Sequence, residues 1–269
     1  MDDAGFRTRY GPWAVITGAS QGTGRAYARQ LAGKGLSLVL VARRAEPLAE
    51  LAREIGEESG VECVTASIDA SETDATRRII GAVGDREVGL FIANAGADGH
   101  GSRFLDGDID DWRRLVTLNV TTTIEACHYF GRQMRDRGRG GLLLANSFAC
   151  YGGSNFLACY TGSKAFMLCF AESLWSELRP HGVDVLTIAM GMTDTPSFNA
   201  FLKSRGLPQP PGMAPAEEVA AFALANLTNG PVQNWGMGEE ESGFVPQSAA
   251  SRRARVLEVN AFTVSVFGE

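Results

Sequence analysis

Cysteine is scarce in this chain and follows no pattern. The 269 residues include five (Cys63, Cys127, Cys150, Cys159 and Cys169), an odd number with no C-x-x-C spacing. That usage speaks against a disulfide framework or a zinc site and points to reduced thiols in a cytoplasmic protein. Histidine is scarcer still: His100, His128 and His181 are scattered without a ligand pattern, so no metal is expected. No block of basic residues is longer than two and the net charge is −6, which argues against nucleic acid as a partner. The opening residues, MDDAGFRTRYGPW, lack the apolar core of a signal peptide. No apolar run approaches bilayer length, so no membrane span is expected. Repeats and low-complexity segments are absent as well. What is plentiful is apolar content: hydrophobic residues make up 45%, enough for a sizeable core. The length suits one α/β domain over 1–269.

Apolar runs alternate with helical patterns along most of the chain. Strands are predicted at 13–17, 36–42, 61–67, 88–93, 142–146 and 183–190, with a short stretch near Pro231–Trp235. Helices are predicted at 22–34, 45–58, 72–83, 110–137 and 159–179, then one from 216 (AEEVAAFALANL) and one near 248–266 in a C-terminal extension, 244–269. This order implies βαβ units with right-handed crossovers. The expected fold is a single-domain, doubly wound Rossmann fold, a parallel sheet of about seven strands with helices on both faces. The stretch 195–215 breaks the alternation and is rich in Pro and Gly. Residues 195–213 read as a mobile lid, with a rigid surface connection as the alternative. Phe198, Phe201 and Leu202, spaced i, i+3, i+4, could make one short amphipathic helix there.

Between the first strand and the first helix stands Thr17-Gly18-Ala19-Ser20-Gln21-Gly22-Thr23-Gly24. Glycines at such a turn let the backbone approach a pyrophosphate, and the helix N-terminus favours its charge. A dinucleotide is therefore expected against Gly18, Ser20, Gln21, Gly22, Thr23 and Gly24. The end of the second strand selects the cofactor. An acidic residue there would bond the ribose 2′-hydroxyl of NAD, but this chain has Ala42 followed by Arg43 and Arg44. An arginine fork suits a 2′-phosphate, so NADP (NADPH) is favoured; otherwise both arginines are solvated surface charges. Asp69, after the third strand, either accepts from the adenine amino group or caps the helix that follows.

Tyr160 and Lys164 are spaced i, i+4 and share a helix face, with Ser147 thirteen residues before Tyr160. A lysine ammonium beside a phenol favours the phenolate and lowers the tyrosine pKa. Such a tyrosine can exchange a proton with a carbonyl or alcohol oxygen near neutral pH, and a serine hydroxyl can hold that oxygen. Taken alone, a Tyr-x-x-x-Lys is more often a half-exposed helix with an extended lysine, and only the rest of the chain reverses that.

Together these residues resemble the short-chain dehydrogenase/reductase family, over roughly residues 10–200. Thr17-Gly18-x-x-x-Gly22-x-Gly24 matches the family's cofactor turn, and Asn94-Ala95-Gly96 its Asn-Ala-Gly element beside the cofactor. Asn119 in TLNVTT matches the catalytic asparagine, and Ser147, Tyr160 and Lys164 match the serine, tyrosine and lysine. Thr195, in MGMTDTP, matches the threonine that holds the nicotinamide carboxamide, and the resemblance extends the cofactor set to Gly191 and Thr193. It implies hydride transfer between NADP(H) and a carbonyl or alcohol. Tyr160 would be the acid, Lys164 would bond the ribose, and Asn119 would position a water. It also implies a homodimer or homotetramer paired through the two long helices, where Phe166, Leu168, Phe170 and Leu174 exceed what one sheet face needs. Three residues depart from the pattern: Met190 stands where the usual Pro-Gly has proline before Gly191, and Asn146 and Phe148 flank Ser147.

Substrate walls are expected from Phe148, Cys150, Tyr151, Leu157, Met190, Met192, Phe198, Phe201 and His100. They are mostly apolar, which suits a bulky ketone or secondary alcohol, cyclic, aromatic or steroid-like. The acidic stretch GMGEEESG (236–243) either rims the site or is a solvated loop. Two alternatives stand beside this reading: a 3-oxoacyl thioester reductase, and a non-catalytic NADP-binding sensor or scaffold.

Overall fold

The computed structural model describes residues 1–97 and 101–236. His100, residues 237–243 of the acidic stretch, the last predicted helix and the C-terminal extension lie outside the described residues. The chain runs α1 (Asp3–Tyr10), β1 (Trp13–Thr17), α2 (Gly22–Gly33), β2 (Ser37–Ala42), α3 (Ala45–Ser59), β3 (Cys63–Ser67), α4 (Ala75–Val83) and β4 (Val88–Ala93). It continues with α5 (Ile109–Val116), a π-helical turn (Thr117–Thr121), α6 (Thr122–Arg137), β5 (Gly140–Ser147), a 3-10 turn (Phe148–Tyr151), α7 (Ala158–Leu178) and β6 (Val183–Met190). Then come β7 (Thr193–Asp194), α8 (Pro196–Ser204), β8 (Ala214–Pro215), α9 (Ala216–Ala225) and β9 (Val232–Asn234).

Seven strands form one parallel sheet in the order β3-β2-β1-β4-β5-β6-β9. The order reverses between β1 and β4, which opens a crevice at their carboxyl ends. Successive strand residues point to opposite faces, and the core divides accordingly. Ala14, Ile16, Leu38 and Leu40 pack on one side with Leu31, Leu48, Leu51 and Leu224. Val15, Val39, Val41 and Phe91 pack on the other with Ile79, Phe130, Met134 and Ala171. Apolar residues on both faces explain the continuous runs in the sequence: all six residues of β4 are buried. Complete burial of one such side chain contributes about 1.5–3 kcal/mol.

The structure refines the sequence reading at three places. The long helix predicted over 110–137 is present but is interrupted by the wide π-helical turn Thr117–Thr121, a device frequent at functional sites. The helix α1 is absent from the sequence reading because its stabilisation is tertiary. Tyr10 is fully buried, its hydroxyl donates to Asp184 Oδ2 at 2.7 Å, and Arg9 grips the same carboxylate at 2.6 and 2.9 Å. Within 195–215 the short helix expected around Phe198, Phe201 and Leu202 is present as α8, with Leu202 buried, and the short parallel pair β7–β8, which the sequence reading lacked, ties the ends of the stretch.

On the outside, α4, α6 and α7 leave an apolar groove lined by Ile80, Ile124, Tyr129, Phe170 and Leu174. Phe166 stacks on Phe170 beside it and is 45% exposed.

Candidate active site

The glycine turn at the β1 carboxyl end is held by backbone proximity. Gly18 has φ +68, and a Cβ there would stand 3.0 Å from the Ala95 backbone. A Cβ on Gly24 would overlap Gly18 O and come within 2.7 Å of Asn94 Nδ2. Asn94 completes the clamp: its Nδ2 donates to Gly18 O at 3.2 Å, and Thr23 Oγ1 donates to its Oδ1 at 2.7 Å. Thr17 Oγ1 accepts from both Asn94 N and Ala95 N at 3.1 Å. Gln21 sits at the N-cap of α2 but makes no capping bond, so its side chain leaves the helix's first amides uncovered. Ser20 is half-buried in the same turn.

Across the crevice, Lys164 is 5% exposed, and its Nζ donates to Ala145 O at 3.0 Å while lying 5.6 Å from the centre of the Tyr160 ring. Burial pulls the Lys164 pKa down to about 8, against a weaker opposing influence from Cys150. Ser147 ends β5 two residues beyond Ala145, and its Oγ accepts from Ala149 N at 3.2 Å. Asn146 fixes these parts to one another. Its Nδ2 donates to Lys164 O at 3.2 Å and its Oδ1 accepts from Ser147 N at 2.9 Å. The π-helical turn brings in Asn119, which is 3% exposed, with both polar atoms of its amide buried and unpartnered. Orphaned polar atoms of this kind cost about 1–3 kcal/mol. Gly96 lies against it: a Cβ at Gly96 would overlap Asn119 Oδ1 and stand 3.3 Å from Lys164 Nζ.

Thr195 roofs the glycine turn, since a Cβ on Gly22 would come within 2.7 Å of its Cγ2. Its Oγ1 caps α8 by accepting from Phe198 N at 3.2 Å, and Thr193 Oγ1 donates to Gly191 O at 3.2 Å. Gly191 gives room to Phe148, whose ring lies 3.4 Å from where its Cβ would be.

The family is decided by comparison. The model of the short-chain dehydrogenases matches residues 12–205. The chain belongs to the short-chain dehydrogenase family. It is 33% identical over 195 residues, 72% of this chain and 74% of the relative, to the 7beta-hydroxysteroid dehydrogenase of Clostridium sardiniense. It is 36% identical over 205 residues to the very-long-chain 3-oxoacyl-CoA reductase of Podospora anserina, covering 74% of this chain and 60% of that one. The chain therefore spans about three-fifths of the fungal reductase. A short-chain dehydrogenase from Sphingobium yanoikuyae in complex with NADPH has a TM-score of 0.74 at 25% identity, covering 94% of this chain and 95% of that one. As a short-chain dehydrogenase, the protein is an oxidoreductase of hydroxyl and carbonyl groups that uses a nicotinamide cofactor.

A dinucleotide fits what the short-chain dehydrogenase presents: a cradle that side chains would fill, uncapped amides at α2, and an orphaned amide beside a buried lysine. Several expected residues have other local partners. Asp69 does not cap α4, whose N-cap is Asp74. Its Oδ1 accepts from Ser71 N at 2.9 Å and Ser71 Oγ at 2.7 Å. Burial opposes the Asp69 charge, but the Ser71 bonds and nearby Arg43 and Arg114 outweigh it and hold the pKa low. Arg43 and Arg44 are exposed, and Arg44 Nη2 donates to Gln21 Oε1 at 2.6 Å. Met190, expected as a pocket wall, is buried within the main core cluster. Tyr151 turns its hydroxyl to Asn234 Oδ1 on β9 at 2.8 Å. Phe198 and Phe201 stack with centroids 6.3 Å apart on α8.

Sequence reasoning singled out Asn146 only as a departure beside Ser147 and gave it no role, and it did not single out Phe156 at all. Phe156 carries φ +64 although it is a bulky residue, and is 9% exposed, four residues before Tyr160. Left-handed backbone at such a residue is strain of a kind that clusters at functional sites. Among the described residues no helix is long and apolar enough to cross a membrane, and no acidic, histidine or cysteine cluster could hold a metal.

Proposed function

We propose that the protein is an NADP(H)-dependent oxidoreductase, cytoplasmic, that interconverts a bulky, weakly polar ketone and its secondary alcohol. The observation that carries this reading is the buried Lys164 ammonium beside the Tyr160 ring on α7, bonded to Ala145 O near the β5 end that presents Ser147. The bound nicotinamide supplies or accepts the hydride. Tyr160 gives its phenolic proton to the substrate oxygen, and Ser147 Oγ donates a hydrogen bond to the same oxygen. Lys164 favours the phenolate electrostatically and so sets the pH range in which Tyr160 works. Asn119, with its amide unpartnered, holds a water that links Lys164 to solvent. Arg43 and Arg44 read the 2′-phosphate, and likeness to a short-chain dehydrogenase in complex with NADPH supports that choice. Aromatic walls (Phe148, Phe198, Phe201) and likeness to a hydroxysteroid dehydrogenase support the substrate class.

A panel of cyclic, aromatic and steroid ketones and a 3-oxoacyl thioester, scored by NADPH consumption, tests this. A bulky ketone should turn over, and Tyr160→Phe should lower kcat by about 10²–10⁴-fold with cofactor binding retained. Turnover of the thioester alone would reassign the substrate, and a Tyr160→Phe enzyme with wild-type kcat would remove the proposed mechanism. The same reading includes a homodimer or homotetramer paired through the two long helical segments, α5–α6 and α7, on the face where Phe166 is exposed. Light scattering that gives a monomer at micromolar concentration would remove it.

A further inference from the structure

Three polar residues from three separate segments form one continuous chain over the glycine turn. Arg44, after β2, donates from Nη2 to Gln21 Oε1 at 2.6 Å. Gln21, in the glycine turn, donates from Nε2 to Ser197 Oγ on the first turn of α8. The direction of this chain is fixed by chemistry. A guanidinium only donates, so the Gln21 oxygen must face Arg44, and the amide hydrogens must then face α8. Ser197 stands two residues from Thr195, whose side chain lies against Gly22. The chain therefore joins α8 to the turn at the point where the two are in contact. Arg44 gives one nitrogen to Gln21, and among the described residues that is its only side-chain hydrogen bond.

We propose that Gln21 is a positioning residue that carries the reading of the cofactor's 2′-phosphate from Arg44 to helix α8. The inference rests on the NADP reading above. The remaining donors of the Arg44 fork suit two phosphate oxygens, the bidentate geometry in which arginine binds best. Once held by phosphate, Arg44 no longer loses side-chain freedom in keeping its bond to Gln21, so the bond strengthens. Gln21 then holds Ser197, and α8 stays closed over the turn. A dinucleotide without the phosphate leaves Arg44 loose. Helix α8 then relies on its own exposed tethers, Asn199 Nδ2 to Asp194 Oδ1 at 2.7 Å and Gln209 Nε2 to Asn199 Oδ1 at 2.8 Å. A ligand shifts a conformational equilibrium only through differential interaction with the two states, and the phosphate gains that difference through this chain.

Hydrogen exchange across 196–204 at saturating NADP⁺ and saturating NAD⁺ tests the proposal. Exchange should be about threefold to tenfold slower with NADP⁺, the size of one hydrogen bond. In Ser197→Ala and in Gln21→Ala the two dinucleotides should give equal exchange, whereas Asn199→Ala, which cuts a tether outside the chain, should keep the difference. Ser197 is exposed on the first turn of a helix, where alanine is tolerated, so that variant should fold as the wild type does. Equal exchange with both dinucleotides in the wild type, or a difference that survives Ser197→Ala, overturns the proposal. Fluorescence titration separates the causes. Tighter NADP⁺ binding with equal exchange overturns the Gln21 link alone, and equal affinity for both dinucleotides overturns the link and the NADP reading together.

Discussion

In the glycine turn, position is set by how closely backbone meets backbone. Gly18 lies tightly against the Ala95 backbone and Gly24 has no room for a Cβ against Gly18 O, while Gly96, beside the turn, is closed by the Asn119 side chain. Helix α8, which roofs that turn, is held mostly by polar side chains at the surface: Gln21 to Ser197, Asn199 to Asp194, Gln209 to Asn199. Only Leu202 is buried within the helix. Close packing tolerates little change, whereas exposed hydrogen bonds exchange readily with water. The glycine turn is thus a floor set by close packing, and α8 above it is a cover held by surface bonds that water can replace.

The largest effect should come from breaking the floor. Gly24→Ala places a methyl group into Gly18 O, and the turn or α2 must shift. Overpacking of this kind costs about 1–3 kcal/mol, and the displaced amides should lower dinucleotide affinity by about a hundredfold. Asn199→Ala in the cover removes two exposed bonds and should change stability by about 0.5 kcal/mol or less. Urea denaturation and cofactor titration of the two variants measure both quantities. Similar losses at the two sites would erase the distinction between floor and cover.

The same distinction explains what the sequence made legible. The floor was readable because its requirements are local and chemical. Glycine is needed where backbone approaches backbone, and alternating apolar runs reveal a sheet covered on both faces. The i, i+4 spacing of Tyr160 and Lys164 puts them on one helix face. The family resemblance then supplied the roles. The cover was hard to read because its order comes from contacts distant in sequence. Ser197 meets Gln21, and Thr193 pairs with Ala214, and no periodicity announces either. Prolines and glycines in 195–215 suggested an irregular segment, yet Pro196 is the first residue of α8, a position where proline suits a helix. The π-helical turn at Asn119 was hidden for a related reason. Helical periodicity continues on both sides of it, and one wide turn inside a helix leaves little trace in the pattern. Asn146 was noticed beside Ser147, but its role escaped because it lies in its bonds, and Phe156 escaped because a backbone angle leaves no motif.

A smaller effect sharpens the comparison through pH, because only the floor holds a lysine whose charge the fold opposes. The Lys164 pKa is about 8 in the fold against 10.5 ordinarily, lowered by burial. The folded state therefore binds this proton more weakly than the unfolded chain does. Below about pH 8 both states are protonated, and the full penalty of the buried charge is present. Between about 8 and 10.5 the unfolded state holds more protons, so stability rises with pH across that window. Lys164→Met should remove both the penalty and the slope. The size of the shift caps the gain near about 3 kcal/mol, and the lost bond to Ala145 O reduces it to about 1–2 kcal/mol at pH 7. Turnover should be lost in the same variant, since the ammonium that tunes Tyr160 is gone. Urea midpoints from pH 7 to 10.5, with wild type and Lys164→Met compared at each pH, measure this. If the two proteins run parallel across the window, Lys164 rests in the site without strain, and the floor does not sacrifice stability to hold its charge.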